Sequence, residues 1–317
     1  MKKGWIFVLI LCLLALCPAL GEESAQKKIT FQGSYSAPAD AERIDLGNVK
    51  ANSLSDLIAF LRQFPNLKKV DMFSTPVSAA GIAQLEKALP QVEFGWTIRI
   101  PCNNPLHPER TYHYIRTDAT AFSTLHNNQC LPHSSQDFAV LKYCKNMLAL
   151  DLGHNRLDRL DFLYDMPQLR VLILAVNEIE DITPISSLHD LEYLEIFKNH
   201  ITDLSPLENL TRLMDLNICF NNVRDYRPLT GLTGLQRLWL YNSNNYSDSS
   251  PVPGDAVQML RSALPGTRIN STSYSTLGGW RTANDKDDGV RAPHYAVIYD
   301  MFNTGAYIPF AESAPLE

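Results

Sequence analysis

The sequence predicts an α/β solenoid with parallel strands on its concave face, 3₁₀ or irregular turns on its convex face, and helix-bearing coils at both ends. Three observations support this fold class. An apolar column recurs every 22 residues between Met147 and Asn242, an asparagine recurs at the same interval, and helical spacing is found on either side of that stretch. A fixed period of this length is typical of stacked units that share one core.

An apolar pair that alternates with other residues defines the strand of each repeat. Leu150, Leu172, Leu194, Leu216 and Leu238 form one column, and an aliphatic residue follows two positions later in each line. Because side chains alternate across a strand, both members of each pair point inward. The full pattern, L-x-x-L-x-L-x-x-N-x-L, is that of a leucine-rich repeat, and it predicts five consecutive parallel strands.

A column of asparagines follows the strands, at Asn155, Asn177, Asn199 and Asn221. An amide side chain can bond backbone groups at a buried turn, so we expect these side chains to point inward. In three lines the second half of the repeat contains Asp-x-x-Pro, as at Pro184. Because proline lacks an N–H and resists a long helix, the convex side is predicted to carry 3₁₀ or irregular turns.

Both flanks of the repeats contain apolar residues at helical spacing. Two such runs, 54–64 and 82–89, lie N-terminal to the repeats, and a similar run at 257–264 follows them. Terminal repeats commonly differ from internal ones, so we expect these coils to cap the solenoid. The predicted organisation is a signal peptide at 1–21, a flexible leader at 22–40, an N-terminal cap at 41–100, an irregular loop at 101–136, repeats at 137–243, a C-terminal cap at 244–280 and a tail at 281–317.

The first residues are typical of a secretory signal peptide. Lys2 and Lys3 precede an apolar run at 6–16, and small residues end at Gly21. Two alternatives are a retained membrane anchor, for which the run is short, and a lipid anchor at Cys17. The sequence therefore predicts a secreted or cell-surface protein, with membrane contact only in those two alternatives.

Composition narrows the classes of function. The chain has 317 residues, of which 45% are hydrophobic and 20% charged, and a net charge of −6. This balance is ordinary for a soluble globular protein, and its acidity disfavours nucleic-acid binding. The sequence contains no G-x-S-x-G, H-E-x-x-H, P-loop or Rossmann fingerprint. We therefore expect neither an enzyme nor a cofactor.

Four cysteines follow the signal segment, and an even number favours disulfides in an exported chain. Cys102 and Cys130 flank one irregular segment and form the favoured pair, although sequence alone leaves the pairing open. Cys144 occupies an apolar column and is expected to be buried, and Cys219 is the fourth. The 101–136 segment also holds four histidines, but their spacing lacks the tight pairs of zinc motifs, so an ordered loop is favoured over a metal site.

The repeats at 177–185 and 199–207 resemble those of bacterial internalin-type leucine-rich repeat proteins. The resemblance is strongest over 137–243, and the flanks, including 117–126, resemble secreted repeat proteins of Firmicutes. Internalin-type proteins bind host proteins through the concave strand face. The resemblance thus implies protein binding on that face, whereas the caps differ from internalin caps and host attachment does not carry over.

Side chains beside the inward leucines point away from the core and predict a partner surface. The candidate residues are Ile173, Tyr193, Glu195, Phe197, Phe220, Arg237, Trp239 and Tyr241. Aromatic clusters on an exposed face commonly mark interfaces, so we expect a protein or peptide ligand. Three alternatives stay open: the C-terminal tail or a long loop covers the aromatics, a glycan stacks on them, or two carboxylates among Asp151, Glu195 and Asp215 act on a glycosidic bond.

Overall fold

The computed structural model describes residues 27–102, 104–125, 130–242, 251–272, 280–283 and 289–310. The predicted signal peptide, Cys17 and the first residues of the predicted leader lie outside these ranges. Within the described ranges, every helix is too short or too polar to cross a membrane.

An antiparallel hairpin opens the described chain. Strand β1 (Lys28–Phe31) pairs with β2 (Tyr35–Pro38). The ring of Phe31 is buried against Phe60, with ring centroids 4.7 Å apart. The expectation of a flexible leader at 22–40 is therefore wrong for its described part, because a buried aromatic side chain attaches the hairpin to the core.

The N-terminal cap consists of strand–helix coils. Strands β3 (Arg43–Asp45), β4 (Lys69–Asp71) and β5 (Glu93–Gly95) form a parallel sheet, and helices α1 (Leu54–Leu61) and α2 (Ala79–Ala88) lie in the connections. A serine hydroxyl caps the start of each helix by accepting a backbone N–H. The predicted helix-bearing coils are thus present at this end of the solenoid.

The segment predicted as an irregular loop, 101–136, contains regular structure. Strands β6 (Thr97–Pro101) and β7 (Tyr112–Arg116) form an antiparallel hairpin, and β8 (Ala121–Ser123) joins the main sheet. The expectation was wrong because β8 carries alanine, phenylalanine and serine instead of the leucines that define the other strands. Its place is set by pairing with the next strand.

Seven parallel strands form the main sheet. After β8 come β9 (Ala149–Asp151), β10 (Val171–Ile173), β11 (Tyr193–Glu195), β12 (Asp215–Asn217), β13 (Arg237–Trp239) and β14 (Arg268–Asn270). Paired residues in β9 to β13 are one repeat apart: Leu172 is opposite both Leu150 and Leu194. The five predicted strands are confirmed. Helix α3 (Gly254–Ala263) precedes β14 and supplies the C-terminal helix-bearing coil.

Short 3₁₀ helices lie between the strands on the convex side. They span Ser135–Tyr143, Asp161–Asp165, Thr183–Ser187, Ser205–Leu207 and Arg227–Gly231. The last three have proline at their first or second position, where its missing N–H costs no hydrogen bond. The predicted 3₁₀ turns are confirmed.

The asparagine column forms a hydrogen-bonded ladder inside the solenoid. The Nδ2 of Asn199 donates to the carbonyl of Leu174 in the preceding coil at 3.0 Å and to that of Ile196 at 3.1 Å. Its Oδ1 accepts the N–H of Ile179 at 3.1 Å. Asn177 makes the equivalent contacts one coil earlier. Each asparagine therefore joins two coils at a buried turn.

Asn199→Ala is expected to lower the free energy of unfolding by about 1–3 kcal/mol, because buried backbone groups lose their partner. Chemical denaturation followed by circular dichroism measures the change. The exposed Asn209 on the convex side provides the matched control, since Asn209→Ala removes an amide without burying an unpaired group. An equal, near-zero effect of both substitutions would contradict the ladder.

The residue before each ladder asparagine has a left-handed backbone. The φ angles are +58° at His154, +60° at Val176, +56° at Lys198 and +55° at Phe220. A β-branched residue is strained in this region, whereas asparagine and histidine tolerate it better. Val176→Asn is therefore expected to raise the free energy of unfolding by about 1 kcal/mol.

Denaturation of Val176→Asn beside His154→Asn tests the strain argument. The histidine variant is the control, because its parent residue already tolerates this backbone, and a smaller gain is expected. A loss of stability in Val176→Asn would show that its apolar contacts outweigh the relief of strain.

Candidate functional site: the covered concave face

Strands β10 to β13 bring all eight predicted partner residues onto or beside one face. Ile173, Tyr193, Glu195, Phe220, Arg237 and Trp239 are buried, whereas Phe197 and Tyr241 are partly exposed. The expectation that this set faces solvent is therefore wrong for six of the eight. Strand periodicity placed these side chains away from the leucine core correctly, but a second layer covers them.

The cover consists of residues 280–283 and 289–310, which include α4 (Pro293–Thr304). This set, called the tail below, joins Trp280, the last residue of the predicted cap at 244–280, to the described part of the predicted tail at 281–317. The indole of Trp280 lies 5.2 Å from the ring of Tyr193 and 5.5 Å from that of Trp239. From α4, Ile298 and Met301 pack in the same apolar cluster. Of the alternatives left open by the sequence, intramolecular cover is the one that the structure contains.

Glu195 is the main polar anchor of the tail. Its carboxylate is fully buried and accepts two hydrogen bonds from Arg281, from Nε at 3.1 Å and from Nη2 at 2.8 Å. The Nε1 of Trp280 donates to Oε2 at 2.9 Å. A bidentate arginine–carboxylate pair is stronger and more directional than a single neutral hydrogen bond. The tail thus supplies the counter-charge that a buried carboxylate needs.

A second buried ionic group lies on β12 and β13. Asp215 accepts from Arg237 through Nε and Nη2, each at 2.8 Å, and His294 of α4 lies 2.5 Å from its Oδ2 through Nδ1. Burial raises the pKa of Asp215, but the hydrogen bonds from Arg237 and His294 outweigh burial and hold that pKa below its ordinary value. Asp215 therefore attaches α4 to the sheet as a carboxylate.

The far end of the tail is attached near β8. The carbonyl of Gly305 accepts the N–H of Ala121 at 3.3 Å, and the N–H of Tyr307 donates to the hydroxyl of Thr120 at 2.8 Å. The tail therefore runs across the concave face from the coils of β11 to β13 toward the first strand of the main sheet.

One edge of the concave face stays partly open. Phe220 makes edge-to-face contacts with Phe197 and Tyr241, with ring centroids 5.4 Å apart in both pairs. Phe197 and Tyr241 keep part of their surface exposed. This row, called the aromatic edge below, is the part of the predicted surface that keeps solvent exposure, through Phe197 and Tyr241, while the tail is in place.

The three carboxylates considered for glycoside hydrolysis are all buried and engaged. Asp151 accepts from the hydroxyl of Ser123 at 2.8 Å and from the N–H of Gly153 at 3.0 Å, and burial raises its pKa. Glu195 and Asp215 hold the tail as described above. A glycosidase pair must reach both its substrate and water, so this arrangement does not support the enzymatic alternative.

Cys102 and Cys130 form a disulfide, the pairing that the sequence favoured. His113 lies beside it, and the ligand atoms of these three residues are within 4.8 Å of one another. Burial, with further contributions from His133 and Arg110, lowers the pKa of His113 to about 4. A neutral imidazole can bind a metal, but thiolate ligands require free cysteines, and here both sulfurs are joined to each other.

The repeats match a known family model. Residues 167–209, which contain β10 and β11, match the model described as Leucine Rich repeats (2 copies). The coils are leucine-rich repeats. No curated protein matches the chain.

Solved leucine-rich repeat structures resemble parts of the chain. An internalin C2 from Listeria monocytogenes is 21% identical, with 65% of this chain and 77% of that chain covered and a TM-score of 0.33. An internalin, InlF, from the same organism is 16% identical, with 78% and 73% covered and a TM-score of 0.35. The ectodomain of the receptor kinase SOBIR1 from Arabidopsis thaliana is 18% identical, with 52% and 91% covered and a TM-score of 0.33.

Sequence reasoning missed the residues through which the tail binds the leucine-rich repeats. Trp280, Arg281 and His294 lie outside the repeats, where no period indicates their partners. The available signals were a carboxylate at Glu195 and another at Asp215, both on the strand face. A tail containing tryptophan, arginine and several tyrosines supplies complementary groups.

Proposed function

We propose that this chain is an exported, internalin-type binding module of Firmicutes-like origin, which recognises a protein or peptide through the concave face of its leucine-rich repeats. One observation carries the proposal: that face already holds a polypeptide segment by ionic, aromatic and backbone contacts. A groove with these contacts has the chemistry of peptide recognition.

Two parts of the concave face have different access in this proposal. A partner meets the aromatic edge first, through Phe197 and Tyr241. The floor beneath the tail, with Tyr193, Glu195 and Trp239, becomes available when the tail moves aside. Trp239 is therefore withdrawn as a contact in the closed state, because none of its surface is exposed there.

A peptide-display selection on the immobilised intact chain tests the proposal. Selected peptides should bind the wild type at least about tenfold more tightly than the Phe197→Ala/Tyr241→Ala variant, since aromatic anchors commonly dominate an interface. Tyr164→Ala is the matched control, because this tyrosine is 54% exposed on the convex side. The Tyr164→Ala substitution should leave the binding of the selected peptides unchanged.

Two results would contradict the proposal. If no peptide is selected, and if a glycan array shows binding that the Phe197→Ala/Tyr241→Ala variant loses, the ligand is a glycan and not a protein or peptide. Selected peptides that bind the edge variant and the Tyr164→Ala variant equally well would place recognition elsewhere on the chain.

A further inference from the structure

We infer that the concave face recognises an aromatic residue followed by an arginine, and that its partner is a peptide that presents this pair. The tail's own Trp280 and Arg281 are the built-in occupant of the site. The inference rests on the proposed function and names the partner chemistry for it. The site, called the Glu195 pocket below, is formed by Tyr193, Glu195, Arg237 and Trp239.

Arginine is recognised by a two-pronged contact. The two oxygens of Glu195 accept separate N–H groups of Arg281, at 2.8 Å and 3.1 Å. A lysine ammonium cannot reproduce this planar fork. Among the described residues of the solenoid, the only side chain that donates to Glu195 is Tyr193, through its hydroxyl at 3.1 Å. The pocket therefore presents a carboxylate that depends on its occupant for most of its hydrogen bonds.

The neighbouring residue is recognised as an indole. The ring of Trp280 contacts the rings of Tyr193 and Trp239, and the guanidinium of Arg237 lies 4.7 Å from its centroid. The Nε1 of Trp280 also donates to Glu195 at 2.9 Å. Stacking favours any aromatic ring, and the N–H contact favours tryptophan in particular.

The pocket also binds the peptide backbone between Trp280 and Arg281. The Nη1 of Arg237 donates to the carbonyl of Trp280 at 3.1 Å. Every peptide has a backbone carbonyl at this position, so this contact does not depend on which chain supplies it. Every contact described for the Glu195 pocket can therefore be made by a peptide in trans as well as by the tail in cis.

The leucine core of the repeats does not include the tail. The main core contains the inward leucines, whereas Trp280, Ile298 and Met301 pack in a separate cluster with the outward row of the strands. Displacement of the tail opens the second cluster and leaves the first one packed. A peptide that binds in trans therefore has to displace only the local contacts of the tail, and the leucine core stays folded.

The test uses the full-length Trp280→Ala/Arg281→Ala variant and a labelled peptide with the sequence of residues 277–284, which contains the Trp-Arg pair. The variant should bind this peptide at least about tenfold more tightly than the wild type, whose own pair competes at high effective concentration. Adding Glu195→Gln should abolish binding. A peptide with lysine in place of arginine should bind at least about tenfold more weakly.

Three results would overturn the inference. The first is a folded variant, shown by circular dichroism, that binds no peptide. The second is equal binding of the arginine and lysine peptides. The third is a dimer formed by exchange of tails, seen by light scattering without peptide binding, because the pocket would then belong to a second copy of this chain.

A second experiment covers the case in which the variant fails to fold. A protease site is inserted after residue 276 of the otherwise wild-type chain, which is folded first and cut afterwards. The arginine peptide should release the C-terminal fragment and the lysine peptide should not; retention with both would overturn the inference. If display peptides still bind through the aromatic edge, only the Glu195 pocket loses its assignment and the proposed function stands.

Discussion

Trp239→Ala is expected to lower the free energy of unfolding by about 3–5 kcal/mol, the range for truncation of a large buried aromatic. Trp239 has none of its surface exposed; its ring contacts that of Trp280 in the tail, and the guanidinium of Arg268 is 5.4 Å from its centroid. If this face were open, the same substitution would leave stability nearly unchanged. Thermal and chemical denaturation of the purified chain measure the difference.

Trp239→Phe is the matched variant for this prediction. It keeps an aromatic ring in contact with Trp280 and removes the indole Nε1, which is buried and has no hydrogen-bond partner among the described residues. Because an unpaired buried donor is itself unfavourable, the phenylalanine variant should lose much less stability than the alanine variant. Equal losses in both variants would show that ring contact with the tail contributes little.

The repeats were predictable because their information is local. Each coil repeats one pattern, so Leu172 or Asn199 could be assigned from its column, without knowledge of distant contacts. The 3₁₀ turns at Pro184 and Pro206 follow equally from the chemistry of one residue type. The same periodicity placed Glu195 and Trp239 correctly on the side opposite the leucine core.

The cover could not be predicted in the same way because its contacts are long-range and do not repeat. Trp280 meets Glu195 across 85 positions, and His294 meets Asp215 across 79. Alternation along a strand reveals which side of the strand a residue faces, but not what lies on that side. The strand β8 was missed for a related reason, since its identity depends on pairing with β9 and not on its own composition.

Asp215→Ala is expected to lower the free energy of unfolding by about 3–5 kcal/mol, because it leaves the guanidinium of Arg237 buried without its carboxylate. Both side chains of this pair are only 1% exposed. The substitution also removes the contact with His294 and so weakens the attachment of α4. Chemical denaturation measures the loss.

The surface pair of Asp190 and Arg212 is the matched control. Its side chains are 49% and 53% exposed, and exposed pairs typically contribute about 0.2–1 kcal/mol. Asp190→Ala should therefore cost far less than Asp215→Ala. A loss of similar size in the two variants would contradict the role given to the buried pair.

The pH dependence of the same variant gives an independent check with a definite sign. The pKa of Asp215 lies below its ordinary value of 3.8, so the unfolded chain takes up a proton here more readily than the folded one. The stabilisation from Asp215 is fully present above that ordinary value and is lost as the pH falls through the lower, folded pKa. The difference in unfolding free energy between the wild type and Asp215→Ala should therefore shrink as the pH falls from about 4 toward about 2. A difference that stays constant down to the lowest pH, or grows there, would show that Asp215 does not act as a carboxylate in the folded protein.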